Sequence, residues 1–528
     1  MVEAWNTTDL ARGRAALLCA DTAAARRSFE RARWSRSGWR LGRTGLALCD
    51  AIRGTRIGFA PAPEELLALD APLVLHEYFR RGQFGEAERL AELADALPGA
   101  GLYRAAAELE GGRSRDALAT LATLPSLAGS TLYERIERAL RLEHGGRHTA
   151  VFDNRGVAIG AVDTTGAAIL EQSVEDGLIP PALLPLLERT AGWPGVRVSL
   201  DLELSRLARR ALGPFRGSVV LLDIHTGAVL AAVSDDRTRA AGGSPALEQM
   251  REPASIAKLI TTTAALRAGL DPDVEIRRLR CQGSLHYPGG VLWCPASAGA
   301  MRGLSHAMAL SCNTSFAHLA SLVGRDRLLE EYRRYGFEIG ETAGGGRILQ
   351  PSGDARQLAD VSIGLEATAV TPLHAARLAA VFGNGGTLPE PILLTHRDGR
   401  LGLSPTPLPR RRGARVVDSG WMPRLHEAML AVAAPGGTGA GLAPPAFPVA
   451  MKTGTAATPG EGYHVNYVGV GPMPDPHVAF CVRVTHQRNS RLVRRAARSV
   501  TAALLAGLAA PGRPALVAGE EGVASRLR

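Results

Sequence analysis

Small and apolar residues recur three and four apart through about the first 126 residues, in DTAAARRSFERA (21–32), GQFGEAERLAEL (82–93) and GGRSRDALATLATL (111–124). That spacing lays one face of a helix on a core. Ala87 and Ala117 hold matching places 30 residues apart, and Ala25 lies 62 residues before Ala87, close to two such periods. The segment GWRLGRTGLALCDAIRG between them supplies the large-small alternation of a partner helix, with Trp39, Phe84 and Tyr103 as candidate core aromatics. The pattern predicts degenerate helix-turn-helix repeats; Ala-rich amphipathic helices packed as a plain bundle would read the same way.

From about residue 147 the period changes. RHTAVFDNRGVAIGAV alternates around an Asn-Arg-Gly turn, and GSVVLLDIHTGAVLAAVSD (217–235) gives two apolar strands joined through His-Thr-Gly; both predict hairpins. A stretch broken by Pro180, Pro181 and Pro194 separates them. The pattern is mainly helical over 253–335, and residues 371–382 form a helix opened by Thr-Pro and closed by glycines. Three strands follow, at 447–456, 463–472 and 477–486, then a helix at about 490–508 and a polar Gly/Pro tail. A hairpin, helices, antiparallel strands and a closing helix predict an α+β domain. The predicted layout is a helical domain over 1–126, a short connecting segment with a hairpin over 127–190, the α+β domain over 191–510 and a tail over 511–528.

The composition is globular, 46% hydrophobic and 21% charged, and 528 residues suffice for more than one core. Net charge is +10, but the arginines are scattered without interleaved aromatics, so nucleic-acid binding is not expected. A protein working near anionic lipid or wall polymer would carry the same charge. Of 61 basic residues only Lys258 and Lys452 are lysines. Arginine replaces lysine on solvated surfaces but cannot become a neutral amine, so both lysines are candidates for chemistry. No apolar run reaches the length of a membrane span, and no basic-then-apolar leader opens the chain, so neither a transmembrane segment nor a signal peptide is expected.

Six cysteines form no CxxC spacing, and the histidines, His464 included, are spread without ligand spacing; no metal site and no cofactor are expected. Cys281 and Cys294 flank CQGSLHYPGGVLWC, which suits either a local disulfide or two thiols. His464 follows the second lysine closely enough to face a cleft there. Asp360 and Glu366 are read as structural carboxylates.

Both lysines sit in informative surroundings. Ser255-Ile256-Ala257-Lys258 opens a predicted helix, where residues three apart share a face and unpaired N–H groups favour developing negative charge. A serine hydroxyl needs a base, and a desolvated lysine can be one. Lys452-Thr453-Gly454-Thr455 lies on a predicted strand and lacks the order of a phosphate-binding loop. Ser311-Cys312-Asn313 stands between them. Singly these patterns are weak; the order S-x-x-K, S-x-N, K-T-G at intervals of 56 and 141 residues is specific.

Those motifs resemble the active site of the penicillin-binding proteins, and VSLDLELSRLARRAL, GSVVLLDIHTGAVLAAVS and SIGLEATAVTPLHAARLAAVFGNGG are similar to further family segments. VFDNRGVAIG resembles the entry to the class B pedestal, and the cysteine pair followed by Ser-Cys-Asn resembles elongation-type class B members. The likeness covers roughly 147–508; the N-terminal helices resemble tetratricopeptide repeats instead. It implies the penicillin-binding/serine β-lactamase fold and a peptidoglycan D,D-transpeptidase, with Ser255 as nucleophile and Lys258 as its base. It further implies Ser311 relaying a proton to the leaving D-Ala, Asn313 bonding the substrate amide, Lys452 and Thr453 binding the terminal carboxylate or shaping the electrostatics around Ser311, Gly454 and Thr455 as further substrate-binding residues, and backbone N–H groups of Ser255 and Thr455 as oxyanion hole. The Cys281–Cys294 disulfide gains support from it. Implied partners are peptidoglycan stem peptides, β-lactams as covalent inhibitors, a separate glycan polymerase and a protein docked on the N-terminal helices, with the substrate outside the cytoplasmic membrane. A β-lactamase or D,D-carboxypeptidase shares the acylation half of this chemistry, and a penicillin-binding sensor or scaffold acting through the repeats is the non-enzymatic reading.

Overall fold

In the computed structural model of the chain the described residues are 2–34, 38–143, 149–163, 165–170, 177–235, 243–288, 290–295, 299–339, 345–349, 354–402, 405–458, 462–486 and 489–510. The predicted tail lies outside them. Two compact units alternate along the sequence: Met1–Ile169, Leu187–Val198 and His396–Leu408 form one, and Leu170–Leu186, Ser199–Thr395 and Pro409–Arg528 the other.

In the first unit, the helices Thr22–Ala32, Phe84–Leu93 and Ser114–Ala122 carry Ala25, Ala87 and Ala117 as their fourth residue, each fully buried. The turn before each helix is built alike. Ala20, Gly82 and Gly112 take positive φ of 58°, 73° and 78°. The next amides, of Asp21, Gln83 and Arg113, bond back to Ala16, Tyr78 and Glu108 carbonyls at 2.9, 3.0 and 2.8 Å. This six-to-one bond closes the preceding helix with a left-handed residue. Arginines supplement it: Arg81 donates to the Cys19 and Leu18 carbonyls, and Arg89 to those of Ala51 and Ile52. Phe84 and Tyr103 pack against Phe79 with centroids 5.3 and 5.9 Å away. Trp39, expected in the core, is 52% exposed beside Arg43.

Past the helices, Thr149–Phe152 pairs antiparallel with Ala158–Val162, the predicted hairpin, and parallel with Gly195–Val198. The sheet continues to Leu394–Asp398, a strand that sequence alone did not indicate. Arg197 donates to Asp398 Oδ2 at 2.8 Å, and the buried Glu110 carboxylate accepts the Arg400 and Leu401 amides at 2.7 and 2.8 Å. Desolvation pushes Glu110 up to about 7 despite those bonds.

The second unit is built on a five-stranded antiparallel sheet, in the order Ala450–Thr458, Gly462–Gly471, Val478–His486, Gly217–Asp223, Val229–Ser234. Every residue of Gly217–Asp223 and Val229–Ser234 is buried. Side chains alternate faces along a strand, so both faces of the sheet are covered there. The helices Leu202–Leu212 and Ser490–Leu508 pack on one another and on the sheet, and Pro372–Ala380 packs on three of its strands. Among the described residues no helix is long and apolar enough to cross a membrane.

Candidate active site

Residues Ala254–Ala257 form a 3-10 turn leading directly into the helix Lys258–Arg267. Ala254 has φ of +51°, a left-handed value that L residues hold only when neighbours enforce it. Its amide donates to the Gly364 carbonyl at 2.8 Å, and a Cβ on Gly364 would collide with Ala254 O. On another side a Cβ on Gly454 would lie 2.7 Å from Pro253 O and 3.3 Å from Ser255 N. Two glycines thus let two backbones close on the turn that presents Ser255, which is half-buried. Thr455 follows on the same strand, paired with Val465.

The two lysines converge on Ser311. Lys258 Nζ lies 3.0 Å from Ser311 Oγ and donates to Ser311 O and Asn313 Oδ1, both at 2.7 Å. Lys452 Nζ lies 3.0 Å from the same Ser311 Oγ and donates to Thr453 O at 2.8 Å. Neither amine hydrogen-bonds to Ser255 Oγ, so the expected serine–lysine contact is not made in this state. Both lysines are fully buried, and no carboxylate pairs with either among the described residues. Burial lowers Lys258 to about 7. Burial, reinforced by the charge of Lys258, holds Lys452 well below the usual lysine range. Ser311 has φ of +54°, a second strained residue at the site. Thr453 Oγ1 is tied to Thr438 Oγ1 at 2.7 Å, and the Asn313 side chain donates to Trp293 O at 2.7 Å. Lys258 Nζ also lies 5.4 Å from the Phe316 ring centroid.

A buried polar network runs beside the Ser255 turn. Arg483, fully buried, donates to Asn466 Oδ1 at 2.7 Å, Gln249 O at 2.8 Å and Val370 O at 2.9 Å. Asn466 and His464 in turn donate to Glu252 O at 3.2 and 2.9 Å. His464 therefore does not face an open cleft: it is 1% exposed, and burial pushes it down to about 3. The signal for Arg483 was present in sequence as one arginine inside the apolar strand HVAFCVRVTH. Asp360 is held by Arg356 at 2.8 Å, and Glu366 is exposed.

Three cysteines gather in one place. Cys281 and Cys294 are thiols that no disulfide joins. Cys294 Sγ lies instead 3.7 Å from Cys312 Sγ, and Cys281 Sγ lies 3.4 Å from Thr314 Oγ1. The sulfurs of Cys281, Cys294 and Cys312 are all within 4.8 Å of one another, a candidate metal-ligating cluster where none was expected. Motif spacing could not reveal it, because three separate segments supply one thiol each.

Residues 217–506 match the family described as penicillin binding protein transpeptidase domain. The peptidoglycan D,D-transpeptidase PbpA of Mycolicibacterium smegmatis is 31% identical over 316 residues, covering 52% of this chain and 62% of the relative. The peptidoglycan D,D-transpeptidase MrdA of Acinetobacter baumannii is 27% identical, covering 54% and 50%. The chain thus spans 62% and 50% of the length of these two relatives. Penicillin-binding protein A of M. tuberculosis, solved as a ceftriaxone acyl-enzyme, superposes with a TM-score of 0.56 at 22% identity, over 69% of this chain and 100% of that one. At that identity the likeness concerns the fold.

Proposed function

Since the chain belongs to the penicillin-binding protein transpeptidase family, we propose that it is a serine D,D-transpeptidase acting on D-Ala-D-Ala stem peptides of peptidoglycan. One observation carries this reading: two buried amines meet at Ser311 beside the Ser255 turn, without a carboxylate partner among the described residues. A substrate bearing a terminal carboxylate brings the missing counter-charge.

In the proposed reaction Lys452 and Thr453 receive that carboxylate. Its charge favours the protonated form of Lys452 and leaves Lys258 as the neutral base. Ser255 Oγ attacks the carbonyl carbon of the penultimate D-Ala while Lys258 Nζ takes the hydroxyl proton. Lys258 releases its contact to Ser311 Oγ for this, a shift of the kind substrate binding makes. The N–H groups of Ser255 and Thr455 stabilise the oxyanion, a role supported by the close approach of Gly454 to Ser255 N. As the C–N bond breaks, Ser311 passes its proton to the leaving D-Ala amine and takes back the one held by Lys258 Nζ, 3.0 Å away. An acceptor amine from a second stem peptide then attacks the acyl-enzyme, forms the cross-link and frees Ser255. β-Lactams enter through the same acylation step and stall there.

The helical part of the first unit is read as tetratricopeptide-like, on the three matching turns and buried alanines, and as the docking part for a protein partner such as a separate glycan polymerase. The chemistry of the substrate places the work outside the cytoplasmic membrane. The test is a fluorescent penicillin: wild type takes the label covalently and retains it for hours, and Ser255→Ala takes none. Labelling that survives in Ser255→Ala, or an unlabelled wild type, would refute the assignment.

A further inference from the structure

We propose that the arginine-stacked aromatics of the first unit, Trp34 on Arg33 and both Trp39 and Phe59 on Arg43, form a docking surface for the headgroups of an anionic phospholipid layer. The surface stands on the helical residues alone and does not depend on the Ser255 chemistry.

Positive charge is spread over the chain as a whole but is dense here. Residues 31–60 hold seven arginines against one acid, Asp50, with no lysine and no glutamate. Asp50 is taken by Arg26, from the helix before. Two of the seven arginines are matched: Arg31 with Asp9 at 2.9 Å and Arg40 with Glu65 at 2.8 Å. Arg33, Arg43, Arg53 and Arg56 are exposed, and no carboxylate pairs with them among the described residues. A partner that matches this charge is anionic.

The aromatics are placed among these charges by local packing. Gly42 lies in the helix Trp39–Arg53 and lets the chain leaving the preceding helix come close: a Cβ there would lie 2.6 Å from Arg33 N and 3.0 Å from Phe29 O. Trp39 and Arg43, four residues apart, share the adjoining face of that helix, so Arg33 and Trp34 arrive beside them. Arg43 Cζ stands 5.7 Å from the Trp39 ring centroid and 3.7 Å from that of Phe59, and Arg33 Cζ stands 4.9 Å from that of Trp34. Even so, Trp34 is 80% and Trp39 52% exposed, large apolar areas left in water.

Lipid answers each of these features. The guanidinium fork matches phosphate oxygens. Indole rings settle at headgroup level, apolar body inward and N–H toward water. A fluid lipid layer closes around a protruding ring such as Trp34, where a rigid partner must supply a pocket. Nucleic acid fits less well, because a guanidinium already occupies one face of each ring on which a base would stack.

The experiment is co-sedimentation of the full chain with vesicles of phosphatidylcholine, with and without phosphatidylglycerol. Wild type should sediment only with the anionic vesicles, and high salt should release it. Arg43→Gln with Arg56→Gln should weaken partitioning about 25-fold, at roughly fivefold per arginine. Trp34→Ala with Trp39→Ala leaves the charge unaltered and should weaken it on the order of tenfold. Arg494→Gln with Arg495→Gln removes the same charge from exposed positions of the helix Ser490–Leu508 and should bind within about twofold of wild type. All these side chains are exposed, so the melting temperatures should match. Equal binding to neutral vesicles, or no binding to anionic ones, overturns the proposal. A loss in the Arg494/Arg495 variant equal to that in the Arg43/Arg56 variant puts the attraction on net charge and overturns the assigned surface. Tighter binding of a single-stranded oligonucleotide than of anionic vesicles overturns lipid as the occupant. Absence of Ser255 labelling in protein that binds the vesicles would count against the proposed function and leave the surface standing.

Discussion

The base role of Lys258 can be read from the pH dependence of acylation. Its amine is fully buried, and burial lowers it from 10.5 to about 7. The reactive form is the neutral amine, so activity must fall as pH drops through that value. At pH 7 about half of the sites carry a free base, and at pH 6 about one in eleven do. A solvated lysine at 10.5 would leave only about 0.03% as free base at pH 7, so burial makes roughly a thousandfold more base available. The second-order constant for penicillin acylation, followed by stopped flow between pH 5.5 and 9, should rise about tenfold per unit at the acid end and level off above about 8. Lys258→Arg keeps a cation that cannot deprotonate and should lose acylation across the whole range. A rate still rising tenfold per unit at pH 9 would refute the lowered base, and so would acylation that survives in Lys258→Arg.

Further expectations concern the frame around the site. In Gly454→Ala the new methyl meets Pro253 O at 2.7 Å, a backbone atom that no side-chain rotation can clear, so the turn must move by about half an ångström; acylation should drop on the order of 10²-fold while the melting temperature changes little, and unchanged acylation would refute the tight approach. Arg483→Met leaves Asn466 Oδ1 and Gln249 O unsatisfied, while Val370 O keeps the Arg251 amide; this should cost at least about 2 kcal/mol and appear as a clear loss in melting temperature, and a wild-type melting curve would contradict the bracing role. Ala87→Leu forces three extra carbons against a fully buried contact, with an expected cost of about 1–3 kcal/mol in the unfolding of the first unit and an unaltered acylation constant.

Much of this was legible in the sequence where the signal is local. The lysine count and the order of three motifs indicated the residues that meet at Ser311, and period-two apolar runs indicated the strands at 217–234 and 450–486. What stayed hidden depends on long-range meeting. Leu394–Asp398 is too short and too polar to stand out as a strand, and it joins its sheet only because Gly195–Val198 offers an edge. The cysteine cluster collects one residue from each of three segments. Arg483 and His464 look like isolated polar residues in apolar strands until Glu252, Gln249 and Val370 are brought beside them. The serine–lysine contact inferred from helical spacing is not made, because Lys258 Nζ is taken up by Ser311 O and Asn313 Oδ1, partners that the local spacing could not show.

The interleaving of the two units bears on how the chain is made. A nascent chain emerging at about 5–20 residues per second does not supply the last segment of the first unit, His396–Leu408, until Leu170–Leu186 and Ser199–Thr395 of the second have been made. The catalytic sheet waits longer still, since Gly217–Asp223 pairs with Val478–His486 across 255 residues, from Asp223 to Val478. Neither unit can finish folding while the other is unsynthesised. For most of translation the apolar strands at 217–234 therefore stand without their central neighbour, so this protein should depend on chaperones that hold an exposed hairpin until release from the ribosome.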